Sequence, residues 1–229
     1  MWFVCAQKNG VSALGLQRVL GFGSYETAWA WMHKLRRAMV RPDRELLGGD
    51  GVTVEMDCTF IGGTAQGKLS ARYSNKAEVI VAVERVHPRG FGRIRLHQID
   101  SRQRSDELFE FIRTNIAHGS ILVTDGETSY PAITKRLQIR HEPVNLIVSK
   151  RVAHEALPAV HQVASLLKRW LAGTHHDGIS PKHLEYYLDE YTFRFNRRKS
   201  RSRGLLWYRL VQQAVNTDPH PLDVLQNKI

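Results

Sequence analysis

Two aspartates stand in or directly after segments that are typical of β-strands, and their carboxylates could bind a divalent metal. Residues 52–60 alternate between apolar and polar side chains, which predicts a strand with Asp57 on its polar face. Asp125 follows a second apolar segment, residues 120–124, and begins the dipeptide Asp125-Gly126. If the two strands are neighbours, both carboxylates meet at one end of a sheet, as a Mg²⁺ site for phosphoryl transfer requires. The alternative interpretation of Asp125-Gly126 is an ordinary turn.

A third candidate for chemistry is a helix predicted over residues 158–171. Its apolar residues form one stripe, whereas His161, Ser165 and Lys168 fall within a narrow arc on the opposite side. One hypothesis is that His161 is a metal ligand and that Lys168, two turns later, binds a phosphate. The alternative is a surface histidine followed by solvated charge at Lys168 and Arg169.

The elements that must position these residues follow a recognisable order. Strands are predicted at residues 52–60, 76–86, 92–99, 120–124 and 139–144, and helices at 105–117, 130–137, 158–171, 181–196 and 205–215. The first three strands have short links, which favours an antiparallel meander. The whole order predicts an α/β fold in which a mixed sheet carries helices on its faces.

The first segment of the chain is predicted to be helical. Ser12 and Ser24 are candidate caps for helices at residues 13–20 and 25–39, and Gly21-Phe22-Gly23 separates them. This pattern is compatible with a helix-turn-helix, which would place the second helix near DNA. A helical hairpin that packs on the next domain is equally compatible with it.

Composition limits the possible classes of protein. The 229 residues include 33 Lys and Arg against 22 Asp and Glu, a formal net charge of +11, which favours a polyanionic partner. No apolar run approaches the roughly 20 residues that span a bilayer, so we expect no membrane association. The two cysteines, Cys5 and Cys58, are too few for a four-thiolate zinc site or a disulfide framework.

Basic residues concentrate in three places that could contact DNA phosphates. Six of the ten residues from Arg194 to Arg203 are basic. The candidate DNA-binding residues are Lys34, Arg36, Arg37, Lys168, Arg169, Arg194, Arg197, Arg198, Lys199, Arg201 and Arg203. The alternative for the last group is a solvated tail.

Several of these segments together resemble bacterial insertion-sequence transposases of the DDE type, whose catalytic domain has the RNase H-like fold. The similarity runs from about Val11 to Val215 and is carried by ALGLQRVLGFGSYETAWAWMHKLRRAM, VEMDCTFIGG, LVTDGETSYPAI and LPAVHQVASLLKRWLAGTHHDGISPKHLEYYLDEYTFRFNRRKSRSRG. The resemblance implies a helix-turn-helix-like DNA-binding segment at residues 1–45 and an RNase H-like catalytic domain at 50–200. Residues 201–229 are then a C-terminal helix and tail.

The resemblance also assigns catalytic positions. Asp57 matches the first acidic residue, Asp125 the second, His161 the third, and Lys168 the basic residue seven positions later. The third residue is often Glu, but subgroups with Asn or His are known. Cys58 replaces a common Glu, and by strand alternation we expect it on the opposite, apolar face. Relatives usually carry an N-terminal zinc ribbon, and because the sequence has no Cys-x-x-Cys motif we expect that this chain lacks one.

The resemblance implies cleavage and strand transfer of element ends, with Mg²⁺ or Mn²⁺, two ions in all, bound by Asp57, Asp125 and His161. The expected partners are DNA and a second copy of the chain, since transposition joins two ends. The expected location is the bacterial cytoplasm, at the nucleoid. One alternative is a catalytically inactive, truncated remnant that only binds DNA, and another is a structure-selective nuclease of the same fold. Metal-dependent cleavage would separate the active transposase from the inactive remnant.

Overall fold

A computed structural model describes residues 1–41, 43–62, 76–86, 90–144, 156–175 and 179–226. The chain divides into two compact units. The first unit contains Met1–Arg44, Trp170–Gly178 and Tyr186–Ile229, and the second contains Glu45–Arg169 and Ile179–Glu185. The predicted domains 1–45, 50–200 and 201–229 stay a prediction, because compactness alone does not establish which parts fold independently.

The helices and strands have the following bounds. The helices are α1 (Trp2–Ala6), α2 (Ala13–Leu20), α3 (Tyr25–Arg37), α4 (Arg104–Asn115), α5 (Ser129–Leu137), α6 (Pro158–His175), α7 (Leu184–Asn196), α8 (Arg203–Val215) and α9 (Leu222–Gln226). The strands are β1 (Thr53–Ile61), β2 (Ala77–Arg85), β3 (Phe91–Ile99), β4 (Ile121–Asp125) and β5 (Arg140–Val144). Short 3₁₀ turns lie at Ser101–Gln103 and Pro181–His183.

The second unit is built on a five-stranded mixed sheet with the order β3-β2-β1-β4-β5. Strands β1, β2 and β3 form an antiparallel meander, whereas β4 pairs parallel with β1 and β5 parallel with β4. This topology is that of the RNase H-like fold. The predicted fold class and the predicted meander are therefore confirmed.

One face of β1 packs into the main core of the second unit. Val54 and Met56 are fully buried there, together with residues of α4 and α5 such as Leu108, Ile112 and Ile133. Cys58 packs against the same cluster, as strand alternation predicts. Burial raises the pKa of its thiol to about 12, so the thiol of the partly buried Cys58 is neutral. The opposite face of β1 carries its polar residues, including Asp57.

The first unit consists of helices around a second core, which contains Met32 and Leu35 of α3 together with Leu210 of α8. The predicted caps are present, since Ser12 Oγ accepts a hydrogen bond from the N–H of Gly15 at 3.0 Å. Ser24 Oγ accepts one from the N–H of Glu26 at 3.1 Å. The helices expected at residues 13–20 and 25–39 are therefore confirmed, the second ending at Arg37.

Two short helices were not predicted. Helices α1 and α9 have five residues each, which is too few for a helical period to be visible in the sequence. Among the residues that the structure describes, no helix has both the length and the apolar character needed to cross a bilayer.

Candidate active site

The register of the sheet brings Asp57 and Asp125 together. Strands β1 and β4 run parallel, with Thr53 opposite Ile121 and Glu55 opposite Val123. The same offset, continued by two residues, aligns Asp57 in the middle of β1 with Asp125, the last residue of β4. Both side chains are half-buried. The expectation that these two strands are neighbours is thus confirmed, and it puts two carboxylates together at the carboxyl end of β4.

The environment of this pair disfavours uncompensated negative charge. Burial is the main reason that the pKa of Asp57 rises to about 6, and the charge of Asp125 adds to the increase. A hydrogen bond from the N–H of Cys58 to Asp57 Oδ1, 2.7 Å long, opposes it. Burial also raises the pKa of Asp125. A cation held between the two carboxylates would stabilise their ionised forms.

The donor set of the aspartate pair fits a hard divalent cation. Mg²⁺ is usually bound by one or two carboxylates, and it keeps waters and substrate phosphates as its other ligands. Asp57 and Asp125 supply two such carboxylates. Within the described part of the chain, no group of three or more His, Cys, Asp or Glu side chains is close enough to hold one ion. The structure therefore brings together a pair of candidate ligands and does not join His161 to them.

A third carboxylate, that of Glu127, lies near the pair but is hydrogen-bonded to Arg104. Glu127 accepts two hydrogen bonds from Arg104, at 2.9 Å from Nε and 2.6 Å from Nη2, and these bonds are the main reason that its pKa is lowered. Arg104 also forms an ion pair with buried Glu78. Its positive charge lowers the pKa values of Asp57 and Asp125, though burial outweighs it. Sequence reasoning missed Arg104 and Glu127, although Glu127 stands only two positions after Asp125.

Glu55 connects strand β1 with the start of α6. Its side chain is fully buried, and Oε2 accepts hydrogen bonds from the N–H groups of Ala159 at 2.8 Å and Val160 at 3.2 Å. A carboxylate at a helix N-terminus also complements the helix dipole. Arg85 approaches the other oxygen at 3.3 Å. Sequence reasoning placed Glu55 on the polar face of β1 but did not recognise this role.

This anchor determines where the two predicted residues of α6 lie. His161 is half-buried and directly follows Val160, whose N–H binds Glu55. Glu55 itself stands two residues before Asp57 on the same face of β1, a separation of roughly 7 Å along a strand. Lys168 is on the exposed side of the helix. The pKa of its ammonium group is lowered, mainly because surrounding protein atoms partly shield it from water, and to a smaller extent by the charge of Lys76.

Two of the predicted DNA-binding residues have structural partners instead. Arg36 is 2% exposed, its Nε is 2.8 Å from Glu190 Oε2, and its guanidinium stacks 4.0 Å from the ring centre of Tyr187. Arg194 binds the other oxygen of Glu190 at 2.8 Å and donates to the backbone carbonyls of Gln7 and Val4. These contacts correct the expectation that Arg36 and Arg194 contact DNA, because both guanidinium groups are engaged within the first unit.

The remaining candidates lie where a ligand can reach them. Arg197 is half-buried. The exposed residues are Lys34, Arg37, Lys168, Arg169, Arg198, Lys199, Arg201 and Arg203. Their contact with DNA stays a prediction.

Comparison with known families decides the identity of the chain. A family model described as the ISXO2-like transposase domain matches residues 46–196 of the 229. The chain belongs to this transposase family. The matched region contains all five strands of the sheet and the positions of Asp57, Asp125, His161 and Lys168. The resemblance to DDE-type insertion-sequence transposases is confirmed.

The transposase was also compared with curated protein sequences and with solved structures. No curated protein sequence matches it. A solved structure of the simian T-cell lymphotropic virus intasome in complex with PP2A regulatory subunit B56 gamma is similar at 15% sequence identity, with a TM-score of 0.40. That alignment covers 77% of the transposase and 67% of the other chain. The fold assignment rests on the sheet topology of the transposase itself.

Proposed function

We propose that this transposase binds divalent metal through Asp57 and Asp125 and catalyses cleavage and strand transfer of DNA at the ends of an insertion sequence. The observation that supports the proposal is the parallel register of β1 and β4, because its continuation by two residues aligns Asp57 with Asp125. They lie at the carboxyl end of β4 in an RNase H-like sheet, within the region that matches the transposase family.

The residues of the site would divide the work as follows. Asp57 and Asp125 would hold Mg²⁺ or Mn²⁺, two ions when substrate is present. When bound, the metal supplies Lewis-acid activation of the scissile phosphodiester and of the attacking water or hydroxyl. We assign His161 to the third position, as in subgroups that accept His there, and its imidazole would favour Mn²⁺ more than a third carboxylate would.

Charge around the site would position the DNA. Lys168 would contact a phosphate near the cut, and the other exposed cations would bind the backbone without reading its sequence. The net charge of +11 supports a DNA partner. Because transposition joins two ends, we propose that at least two copies act together on DNA. We propose that the reaction takes place at the bacterial nucleoid, where chromosomal target DNA lies.

A cleavage assay tests the proposal. Purified protein is incubated with supercoiled plasmid and with element-end DNA, in Mg²⁺, Mn²⁺ or EDTA. We expect metal-dependent nicking by the unchanged protein and its loss in Asp57→Asn and Asp125→Asn, with DNA affinity retained. Asp106→Asn, at an exposed position of α4, is the matched control and should cleave normally. Binding without cleavage in either metal would instead support the inactive remnant.

A further inference from the structure

A cavity in the first unit is lined by three arginines from separate segments. It has a volume of about 590 Å³. Arg41 enters it from the segment after α3, Arg197 from the residue that directly follows α7, and Arg209 from α8. Three amide side chains complete much of the wall, those of Gln212, Gln213 and Asn216. The wall thus offers guanidinium and amide N–H donors, the groups that recognise anionic oxygen.

Positive charge in this cavity is not balanced by the acidic residue that lines it. Asp43 is paired with Arg41, with distances of 3.2 Å from Nε and 2.9 Å from Nη2. Burial, and then the charges of Arg41 and Arg209, lowers the pKa of Arg197. Three guanidinium groups therefore share the cavity with one carboxylate, so an anionic ligand would relieve their repulsion.

One amide in the wall has no partner for its polar atoms. Both Nε2 and Oε1 of Gln213 are buried, and neither makes a hydrogen bond. The neighbouring amides differ, because Gln212 Oε1 accepts from Arg209 at 3.0 Å and Asn216 Nδ2 donates to the carbonyl of Gln212 at 3.0 Å. Buried side-chain polar atoms are nearly always hydrogen-bonded, and the exceptions often mark a missing ion or water. A bound oxyanion would accept from Gln213 Nε2.

We propose that this cavity binds a phosphate group of a DNA strand. The tetrahedral oxygens of phosphate suit the planar fork of arginine, which can donate two parallel hydrogen bonds. The proposal adds three DNA-contacting residues that lie outside the basic run at residues 194–203, namely Arg41, Arg209 and Gln213. The choice of DNA as the source of the phosphate rests on the proposed function, whereas the cavity could also take phosphate from a free nucleotide or from inorganic phosphate.

Two variants separate ligand binding from folding. Arg209→Gln removes an exposed cation. Gln213→Glu keeps the size of the side chain and places a carboxylate among three arginines, which should leave stability unchanged or higher while blocking an anion. Arg113→Gln is the matched control, since it also removes one positive charge, at a residue paired with Glu110 outside the cavity.

The experiment measures binding of a 30-base-pair duplex of random sequence by fluorescence anisotropy in EDTA, across salt concentrations. We expect Arg209→Gln to weaken binding roughly 5-fold and to reduce the slope of log K against log salt by about 0.9, the value for one lost phosphate contact. Gln213→Glu should weaken binding further without lowering the melting temperature. Equal slopes and affinities for Arg209→Gln and Arg113→Gln would overturn the proposal, as would a parallel loss of stability and binding in Gln213→Glu.

Inorganic phosphate and a mononucleotide form the second arm, in which the melting temperature is measured in EDTA at constant ionic strength. Phosphate should raise the melting temperature of the unchanged protein more than that of Gln213→Glu. The assignment of the cavity to DNA would be wrong if two results occurred together. A mononucleotide would raise the melting temperature of the unchanged protein more than that of Gln213→Glu, and Arg209→Gln would leave the slope of log K against log salt for DNA binding unchanged. Because every measurement is made in EDTA, these outcomes are independent of whether Asp57 and Asp125 support cleavage.

Discussion

The carboxylate of Glu55 accepts a hydrogen bond from the backbone N–H of Ala159 at 2.8 Å, within the buried interior of the second unit. Strand β1, which carries Asp57, therefore also holds the first turn of the helix that carries His161. This bond and the adjacent one to Val160 fix the backbone of the first turn of α6, directly before His161, the third predicted catalytic residue.

Replacement of Glu55 should impair both stability and cleavage. Glu55→Ala leaves two N–H groups at the start of α6 unsatisfied, so we expect it to lower the free energy of unfolding by about 2–3 kcal/mol. We expect cleavage per folded molecule to fall while DNA affinity is retained, and Glu55→Gln, which keeps one acceptor, to recover part of the rate. Urea unfolding and single-turnover cleavage measure the two effects. Glu142→Gln, at an exposed position of β5, is the control. Normal cleavage by folded Glu55→Ala would show that the anchor has only a structural role.

Arg104 should be needed for the stability of the second unit. Arg104→Met leaves buried Glu78 and partly buried Glu127 without their cation. Removing one partner of a buried ion pair is costly, and after a reduction for the partial exposure of Arg104 we expect a loss of about 2 kcal/mol in the free energy of unfolding. The double variant Arg104→Met with Glu78→Gln should recover part of this loss. Chemical denaturation of both proteins provides the comparison, and equal stability of Arg104→Met and the unchanged protein would contradict the importance of this pair.

The ion pairs of Glu190 should give the first unit a pH-dependent stability. Burial alone would raise the pKa of Glu190, but the charges of Arg36 and Arg194 and their hydrogen bonds lower it overall. The ionised carboxylate therefore stabilises the folded state fully above its unfolded pKa of about 4.3, and this contribution is lost as pH falls through the lower folded value. We expect Glu190→Gln to cost about 3 kcal/mol at pH 7 and less as the medium becomes more acidic.

Urea unfolding at pH values between 7 and 3 tests this dependence. The difference between Glu190→Gln and the unchanged protein should shrink as pH falls below about 4. A difference that stayed constant over this range would mean that the charge of Glu190 does not stabilise the fold.

The sequence alone was sufficient for the features that depend on local pattern. Alternation in residues 52–60 located β1 and the face of Asp57, and Ser12 and Ser24 identified the starts of two helices. The register of β1 and β4 was expected only conditionally, because strand pairing between distant segments leaves no local signal.

Long-range pairs explain the errors. Arg36 was assigned to DNA as one of the cations in the last turns of α3, the second helix of the helix-turn-helix-like segment. Its partner Glu190 is 154 positions away in the sequence and buries it. Glu55 and Ala159 are separated by 104 positions, so the anchor of α6 could not be read from either segment. Burial of a charged residue depends on a partner that only the tertiary structure supplies.

Metal binding by the two aspartates is the most direct test of the central claim, that Asp57 and Asp125 form one site. Isothermal titration of Mn²⁺ should be compared in the unchanged protein, Asp57→Asn, Asp125→Asn and the double variant. If both carboxylates hold the same ion, each single variant should lose nearly as much affinity as the double variant, since residues that share a ligand are not additive. Single variants that keep the affinity of the unchanged protein, or losses that add independently, would contradict a shared site.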